Sequence, residues 1–124
     1  MTEPLTLVAY ERLLPGSQLV NRLQDLGHRV HTLSDGTSLV QRAQQEKPIL
    51  AIVDVSPQND GMIAAIGELR KNPDTAHIPV IAIADARDPK SQEAARTAGA
   101  TLVVNETAIL LHLNQFLEQA LQVE

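Results

Sequence analysis

Asp54 is the residue of this chain whose position most clearly invites chemistry. It ends the stretch ILAIVD, in which five apolar residues run directly into a carboxylate before the chain breaks at Pro57. A continuous apolar run of this length is typical of a parallel strand that is covered on both faces. A carboxylate at the end of such a strand either takes part in chemistry or is solvated or bonded to backbone amides of its loop.

Short apolar runs alternate with amphipathic stretches along the whole chain, and this pattern predicts the elements that position Asp54. The predicted strands are Leu5 to Ala9, His28 to Leu33, Ile49 to Asp54, Ile78 to Ala84 and Thr101 to Val104. The predicted helices are Gly16 to Leu26, a second helix capped by Ser34 or Asp35, Met62 to Lys71, Pro89 to Ala98 and Thr107 to Gln122. Repeated strand–helix units with right-handed crossovers give an α/β fold with an open, doubly wound parallel sheet.

In a doubly wound sheet, functional side chains gather outside the carboxyl ends of the strands. Those ends carry the stretches AYERL, LSDG, DVSPQNDG, ADARD and VNET. The first exit, YERLLPG, holds one glycine, so neither a dinucleotide-binding turn nor a P-loop is predicted. No nucleophile paired with a base appears there, which argues against an enzyme. A small-molecule binder of flavodoxin-like fold stays open as an alternative that a bound ligand at these ends would support.

Composition excludes several other classes of function. The net charge of −5 argues against sequence-independent binding to nucleic acid, and no apolar run approaches the ~20 residues that span a membrane. Tyr10 and Phe116 are the only aromatic residues, so base-stacking platforms are excluded. With 124 residues and no cysteine, we expect a single domain over residues 1–124 in a reducing compartment, the cytoplasm.

The chain resembles the receiver domain of two-component response regulators over essentially its whole length. The likeness lies in the stretches TLVAYERL, LVNRLQDLGHRV, DGTSLVQRAQQEKPILAIVD, IPVIAIADARD and AARTAGAT. It implies a flavodoxin-like (βα)5 doubly wound sandwich, with a five-stranded parallel sheet in the order 2-1-3-4-5. It also implies that an aspartate at the end of the third strand accepts a phosphoryl group, and Asp54 matches that position.

The resemblance implies a Mg²⁺ site as well, but only part of that site is present. Receivers hold the ion with an acidic pair after the first strand, because a hard dication prefers carboxylate oxygens. Tyr10 and Glu11 match the pair, so Glu11 and Asp54 are the candidate metal ligands, and Tyr10 offers a neutral phenol. The carbonyl of Ser56 matches a third ligand, yet the segment between Asp54 and the following DG pair is one residue shorter than in the family.

Three further positions that receivers use for phosphotransfer and switching also differ here. The threonine or serine after the fourth strand is Ala84, and the switch aromatic of the fifth strand is Val103. The lysine after the fifth strand is Glu106 by spacing, or Asn105 if the strand is one residue shorter. A carboxylate there would repel a phosphoryl group by about 4 kcal/mol for unit charges ~4 Å apart at an effective dielectric near 20. The sequence therefore resembles a degenerate receiver, or pseudo-receiver.

Two hypotheses about function follow from this resemblance. The leading one is a non-enzymatic module of two-component or phosphorelay signalling that acts by protein–protein interaction, with no cofactor and no efficient phosphotransfer. The alternative is an atypical but working response regulator that is phosphorylated on Asp54, with Glu11 alone holding Mg²⁺.

The last predicted helix supplies a candidate partner face. Leu110, Leu111 and Leu121 widen its apolar stripe past the usual ~100°. Receivers commonly bind through the face formed by helix 4, strand 5 and helix 5, so the resemblance implies a sensor kinase, an output protein or a second copy as the partner. The same leucines could instead cover neighbouring loops.

Other titratable residues are predicted to lie at the surface without a site. The histidines lack metal-ligand spacing, and each is predicted to be a surface residue: His28, His31, His77 and His112. Asp85, Asp88 and Glu106 are predicted to form a solvated acidic edge near the strand ends, with a cation site as the alternative.

Overall fold

The computed structural model describes residues 5–10, 13–33, 38–55, 60–85 and 87–122. Helices and strands alternate along these ranges, as the apolar pattern predicts. In chain order the elements are β1 (Leu5–Ala9), α1 (Leu13–Asp25), β2 (Arg29–Leu33), α2 (Leu39–Glu46), β3 (Leu50–Asp54), α3 (Asp60–Lys71), β4 (Val80–Ile83), α4 (Pro89–Ala98), β5 (Leu102–Val104), α5 (Glu106–Leu111) and α6 (Leu113–Gln122).

The strands form a parallel sheet in the order β2-β1-β3-β4-β5, which confirms the predicted doubly wound topology. In this order β3 is the central strand. Ala9 of β1 lies opposite Val53, and Asp54 lies opposite Ile83 of β4. The register therefore brings the carboxyl ends of β1, β3 and β4 together at one edge, called the carboxyl edge below.

Two aliphatic layers cover the sheet, one on each face. The first core layer lies under α2, α3 and α4 and comprises Leu7, Ala9, Leu33, Leu39, Ala43, Ala51, Val53, Val55, Met62, Ala65, Ile66, Leu69, Ile78, Val80, Ala82 and Ala95. The second core layer lies under α1, α5 and α6 and comprises Val8, Leu19, Leu23, Leu50, Ile52, Ile81, Ile83, Ile109, Leu113, Leu117 and Ala120. Successive strand residues alternate between the layers, as the pleat requires.

Helix α4 has the predicted bounds because both of its ends carry strong local signals. The Asp88 carboxylate accepts hydrogen bonds from the Ser91 amide at 3.3 Å and the Ser91 hydroxyl at 2.8 Å, and Pro89 occupies the first turn. At the other end Gly99 adopts φ = +119°, a conformation that favours glycine. The predicted and observed bounds of α4 agree because the cap, the proline and the glycine each act on residues within one helical turn.

Strand β4 is shorter than predicted at both ends. The Ile78 amide donates to the Thr75 carbonyl at 3.0 Å and closes a turn, and Pro79 has no amide hydrogen to give to a ladder. The Ala84 amide still donates to the Val104 carbonyl at 2.8 Å, so the chain continues along β5 for one residue past the strand. The apolar run is therefore longer than the strand itself.

The helix predicted from Thr107 to Gln122 is divided in two, so the prediction of one continuous helix was wrong. At His112 the backbone leaves the helical region, with φ = −124° and ψ = 30°. The His112 amide still donates to the Ala108 carbonyl, and the rings of His112 and Phe116 meet edge to face at 6.5 Å. Neither proline nor glycine, which often occur at sharp breaks, marks this position.

Helix α2 begins after Ser38, while the caps predicted for it, Ser34 and Asp35, lie outside the described residues. Helix α1 begins three residues earlier than predicted and ends at Asp25, one residue earlier than predicted and two residues before Gly27, which has φ = +88°. Among the helices that the structure describes, none is both long and apolar enough to cross a membrane.

Candidate functional site

Asp54 lies at the carboxyl edge, at the end of the central strand β3, and only 4% of it is exposed. Alternation along β3 directs its side chain to the face of Leu50 and Ile52, above the second core layer. The next amide, that of Val55, donates to the Ile83 carbonyl at 2.8 Å and holds the strand end against β4. The sequence thus predicted correctly that Asp54 ends a buried strand, whereas burial of the carboxylate itself was not predicted.

Tyr10 follows β1 and lies beside Asp54. Its amide donates to the Leu33 carbonyl at 2.9 Å, which continues the pairing of β1 with β2 by one residue. Since Ala9 lies opposite Val53, Tyr10 comes level with Asp54, about 4.8 Å away along the sheet. The half-buried ring packs against the second core layer, on the same face as Asp54. A neutral phenol therefore occupies the place where the resemblance implies a carboxylate.

A Mg²⁺ ion prefers several hard oxygen ligands, and the structure describes only some of the candidate ligands. Asp54 supplies one carboxylate, whereas Glu11 and Ser56, the other candidate ligands, lie outside the described residues. Across the described ranges, no three histidine, cysteine, aspartate or glutamate side chains come together as metal ligands. Every buried polar side-chain atom in those ranges also has a hydrogen-bond partner, so none marks a vacant ligand position.

Ala84 lies at the end of β4 and is 1% exposed. Its amide bond to Val104 fixes the backbone against β5, and its side chain is a methyl group without donor or acceptor. The Ala84 side chain therefore cannot form a hydrogen bond with a group attached to Asp54.

After β5 the chain turns directly into a helix, and Asn105 serves as its cap. The Asn105 Oδ1 accepts a hydrogen bond from the Ala108 amide at 2.8 Å, so this side chain is used inside the turn. Glu106 is the first residue of α5, and its side chain lies outside the described residues. Val103, at the position of the switch aromatic, is half-buried and packs against the first core layer.

Two of the predicted rim acids, Asp85 and Asp88, have partners close by in the chain. The Asp85 carboxylate accepts the Arg87 amide at 2.8 Å and lies 3.3 Å from its guanidinium, and Asp88 caps α4. The side chain of Glu106, the third residue of the predicted acidic edge, lies outside the described residues, so the solvated edge and the cation site both stay predictions. Sequence reasoning did not anticipate the Arg87 pair.

An open cavity of ≈ 560 Å³ adjoins this rim between the β4–α4 loop and α5. It does not include Asp54, and it mixes polar groups with exposed aliphatic surface. The described residues that line it are Asp85, Arg87, Asn105, Thr107, Ala108, Leu111 and His112.

The three leucines predicted to form a partner face differ in exposure. Leu111 is 71% exposed and Leu121 is 41% exposed. Leu110 instead packs against the second core layer and lines a small cavity beside α1. Excess apolar surface on this face therefore comes mainly from Leu111 and Leu121.

The histidine predictions hold for His77 and His112, which are exposed, and fail in part for the other two. His28 is half-buried and its Nδ1 lies 3.0 Å from the Thr6 hydroxyl, and burial lowers the pKa of this histidine. His31 contacts the Glu46 carboxylate, which also pairs with Arg42. His28, just before β2, thus contacts β1, and His31, within β2, contacts α2.

Sequence reasoning did not predict the cluster of polar contacts made by Arg70. Arg70 lies on the last turn of α3, at the amino edge of the sheet. Asp54 lies at the other edge, the carboxyl edge. The Arg70 guanidinium donates to three backbone carbonyls and to one hydroxyl. A basic residue near the end of a helix is too common to signal such a cluster.

No protein-family model matches the chain, and no curated protein sequence matches it significantly. Solved structures do match it over almost its whole length. A proposed response regulator from Chloroflexus aurantiacus is 20% identical, with a TM-score of 0.87 over 98% of this chain and 100% of that one.

Two further solved structures have the same fold. The receiver domain of the sensor histidine kinase PA1611 from Pseudomonas aeruginosa is 20% identical, with a TM-score of 0.86 over 98% of this chain and 100% of that one. That structure has a magnesium ion coordinated in its active-site cleft. The chemotaxis protein CheY4 from Vibrio cholerae is 18% identical, with a TM-score of 0.83 over 96% of this chain and 99% of that one. At these identities the likeness concerns the fold.

Proposed function

We propose that this chain, which has the fold of response-regulator receiver domains, is a signalling module of a two-component or phosphorelay system. It works by binding a protein partner, without efficient phosphotransfer and without enzymatic activity of its own. The support is the fold together with the side chains at the carboxyl edge.

The observation that carries this proposal is the environment of Ala84. Receivers place a hydroxyl at this position, and it bonds to the oxygens of the phosphoryl group. Here the residue is a buried alanine whose backbone is bonded to β5, so its methyl group cannot provide that bond. Transfer to Asp54 would proceed without this contact.

Electrostatics supports the same conclusion. A phosphoryl group brings additional negative charge to Asp54, which is already a buried carboxylate. Asn105 is neutral and its amide oxygen is used as a helix cap. Glu106, which matches the receiver lysine by spacing, contributes a carboxylate in place of an ammonium. The phosphorylated state therefore lacks the cation that stabilises it in receivers.

Incubation with Mg²⁺ and acetyl phosphate, or with Mg²⁺ and beryllofluoride, tests the proposal directly. We expect no mass increase at Asp54 and no change in the amide NMR spectrum. Intact mass spectrometry and NMR of the wild-type chain provide the measurement, with Asp54→Asn as the matched control. An adduct or a spectral change that Asp54→Asn abolishes would overturn the proposed function.

The alternative function is a working phosphoacceptor with unusual chemistry. The observation that favours it is Asp54 itself, which is kept as a buried carboxylate at the end of the central strand. Glu11 alone would then hold the metal ion. The same mass measurement separates the two functions, because only the alternative gives an adduct on Asp54.

Partner binding is proposed to use the face formed by α4, β5 and the α5–α6 pair, where Leu111 is 71% exposed. Leu111→Glu should abolish a complex with a second copy, a sensor kinase or an output protein, because a charge replaces apolar contact area. The free energy of unfolding should change by less than about 0.5 kcal/mol, since the side chain is exposed. Sedimentation velocity, alone and with candidate partners, provides the measurement.

Gln41→Glu is the matched control for this variant. It adds the same charge at an exposed position on α2, which lies outside the face formed by α4, β5 and the α5–α6 pair, and should leave the complex intact. If wild type and Leu111→Glu sediment identically in every mixture, this face is not the binding surface.

A further inference from the structure

The Arg70 side chain connects three separate segments at the amino edge of the sheet. Its Nε donates to the Gly99 carbonyl at 2.7 Å, and its Nη1 donates to the Ala76 carbonyl at 2.7 Å and the Ile78 carbonyl at 2.8 Å. Its Nη2 lies 3.0 Å from the Thr101 hydroxyl oxygen. One residue of α3 therefore holds the segment before β4 and the turn between α4 and β5.

The aliphatic part of the Arg70 side chain packs against the same turn. A Cβ atom built on Gly99 would come within 2.5 Å of the Arg70 Cγ, so the side chain crosses directly over the Gly99 backbone. Gly99 also ends α4 with φ = +119°. The turn and the arginine thus depend on each other for their geometry.

Thr101 extends this cluster into the sheet. Its hydroxyl oxygen accepts from the Val80 amide at 3.1 Å as well as from Arg70, and its amide donates to the Val80 carbonyl at 2.8 Å. Strand β5 has three residues, all half-buried, and pairs with β4 on one side. A strand this short has few backbone hydrogen bonds to β4. The Thr101 hydrogen bonds at its start therefore contribute a larger share of its local stability.

The electrostatic setting suits a cation. Burial lowers the pKa of Arg70, yet arginine stays protonated in proteins. Its described hydrogen-bond acceptors are neutral oxygens, and the Gly99 carbonyl lies at the carboxyl-terminal end of α4, where the helix dipole is negative. A planar group with five donors on three nitrogens can reach four such oxygens at once, whereas an ammonium has three donors on a single nitrogen.

We propose that Arg70 is a positioning residue that joins the end of α3 to the α4–β5 turn. As a result, β5 and this turn unfold locally only when α3 also unfolds. The four hydrogen bonds and the Gly99 contact are called the Arg70 latch. The proposal does not depend on how the carboxyl edge is used, because the latch lies at the other edge.

Residue-level amide exchange under native conditions tests the latch in Arg70→Met. Protection of the Val80, Gly99, Ala100 and Thr101 amides should fall at least about tenfold more than protection of amides in the central strands, such as Ile52. These four amides all bond within or beside the turn. Equal losses at all amides, or no loss in the turn, would overturn the proposal.

Two further variants separate the latch from a simple charge effect. Arg70→Lys keeps the charge at the helix end but not the planar donors, so we expect most of the local loss to persist; full recovery of protection would contradict the latch. Arg96→Met removes an exposed arginine of α4 that pairs with Glu93, and should leave the turn protected.

Thr101→Val keeps the test decisive if Arg70→Met does not fold. It removes one acceptor of the latch and the hydroxyl that holds the Val80 amide. Protection should then fall at Val80 and Gly99 while Ile52 is unchanged. Unchanged protection at Gly99 would mean that the segments are not coupled through Arg70.

Discussion

The triple variant Tyr10→Asp, Ala84→Ser, Glu106→Lys should be phosphorylated on Asp54 at least about 100-fold faster than the wild-type chain in Mg²⁺ and acetyl phosphate. This factor corresponds to about 2.7 kcal/mol of transition-state stabilisation. The three changes supply the second acid, the hydroxyl and the ammonium that receivers use. Phosphorylation is followed by intact mass over time.

The expected size follows from the charges involved. A unit charge about 4 Å from the transferring group is worth about 4 kcal/mol at an effective dielectric near 20, and Glu106→Lys reverses the sign of one such charge. Tyr10 lies level with Asp54 on the neighbouring strand, so a carboxylate there would add a hard oxygen ligand beside the acceptor. Serine is chosen at position 84 because the alanine is buried and a larger side chain would crowd the strand end.

Adding Asp54→Asn to the triple variant is the control, and it should return phosphorylation to background. Circular dichroism confirms that each variant is folded. If the folded triple variant stays unmodified, the three replaced side chains are not what limits the chemistry. The shorter segment after Asp54 would then become the main explanation.

Replacing Gly99 by alanine should lower the free energy of unfolding by about 2 kcal/mol or more. Two costs combine at this position: φ = +119° is a conformation that strains residues with a Cβ atom, and the added methyl would come within 2.5 Å of the Arg70 Cγ. Arg70 would have to leave hydrogen bonds at 2.7 to 3.0 Å to make room. Urea titration gives the measurement.

Two other glycines serve as controls for this substitution. Gly27→Ala meets nothing within 4 Å but has φ = +88°, so it should cost only the backbone strain, about 1 kcal/mol. Gly67→Ala lies inside α3 with nothing within 4 Å and should stabilise the chain by roughly 0.5 to 1 kcal/mol. A loss at Gly99 no larger than that at Gly27 would show that the Arg70 contact carries no cost.

The parts of the fold that the sequence could predict are those governed by local signals or by strong apolar runs. Strand β1 has its predicted bounds, β3 begins one residue late, and α4 lies between its aspartate cap and Gly99 as predicted. The break at His112 could not be predicted, because no residue there disfavours a helix strongly. Arg70 was missed since its partners lie up to 31 residues away along the chain.

The candidate site divides in the same way. The positions of Asp54, Tyr10 and Ala84 follow from the strand ends, and a parallel sheet brings those ends together by its topology. The role of Asn105 did not follow, because it depends on α5 starting directly after β5. Burial of His28 against Thr6 likewise depends on how α1 returns to the sheet.

Tyr10 gives the chain an optical property that follows from its place beside Asp54. It is the only tyrosine, and the sequence has no tryptophan. Intrinsic fluorescence of this protein therefore originates at the carboxyl edge, against the second core layer. Any ion, phosphoryl group or partner that reaches Asp54 should alter this emission without a background from elsewhere, whereas a variant carrying Tyr10→Asp would have lost its own reporter.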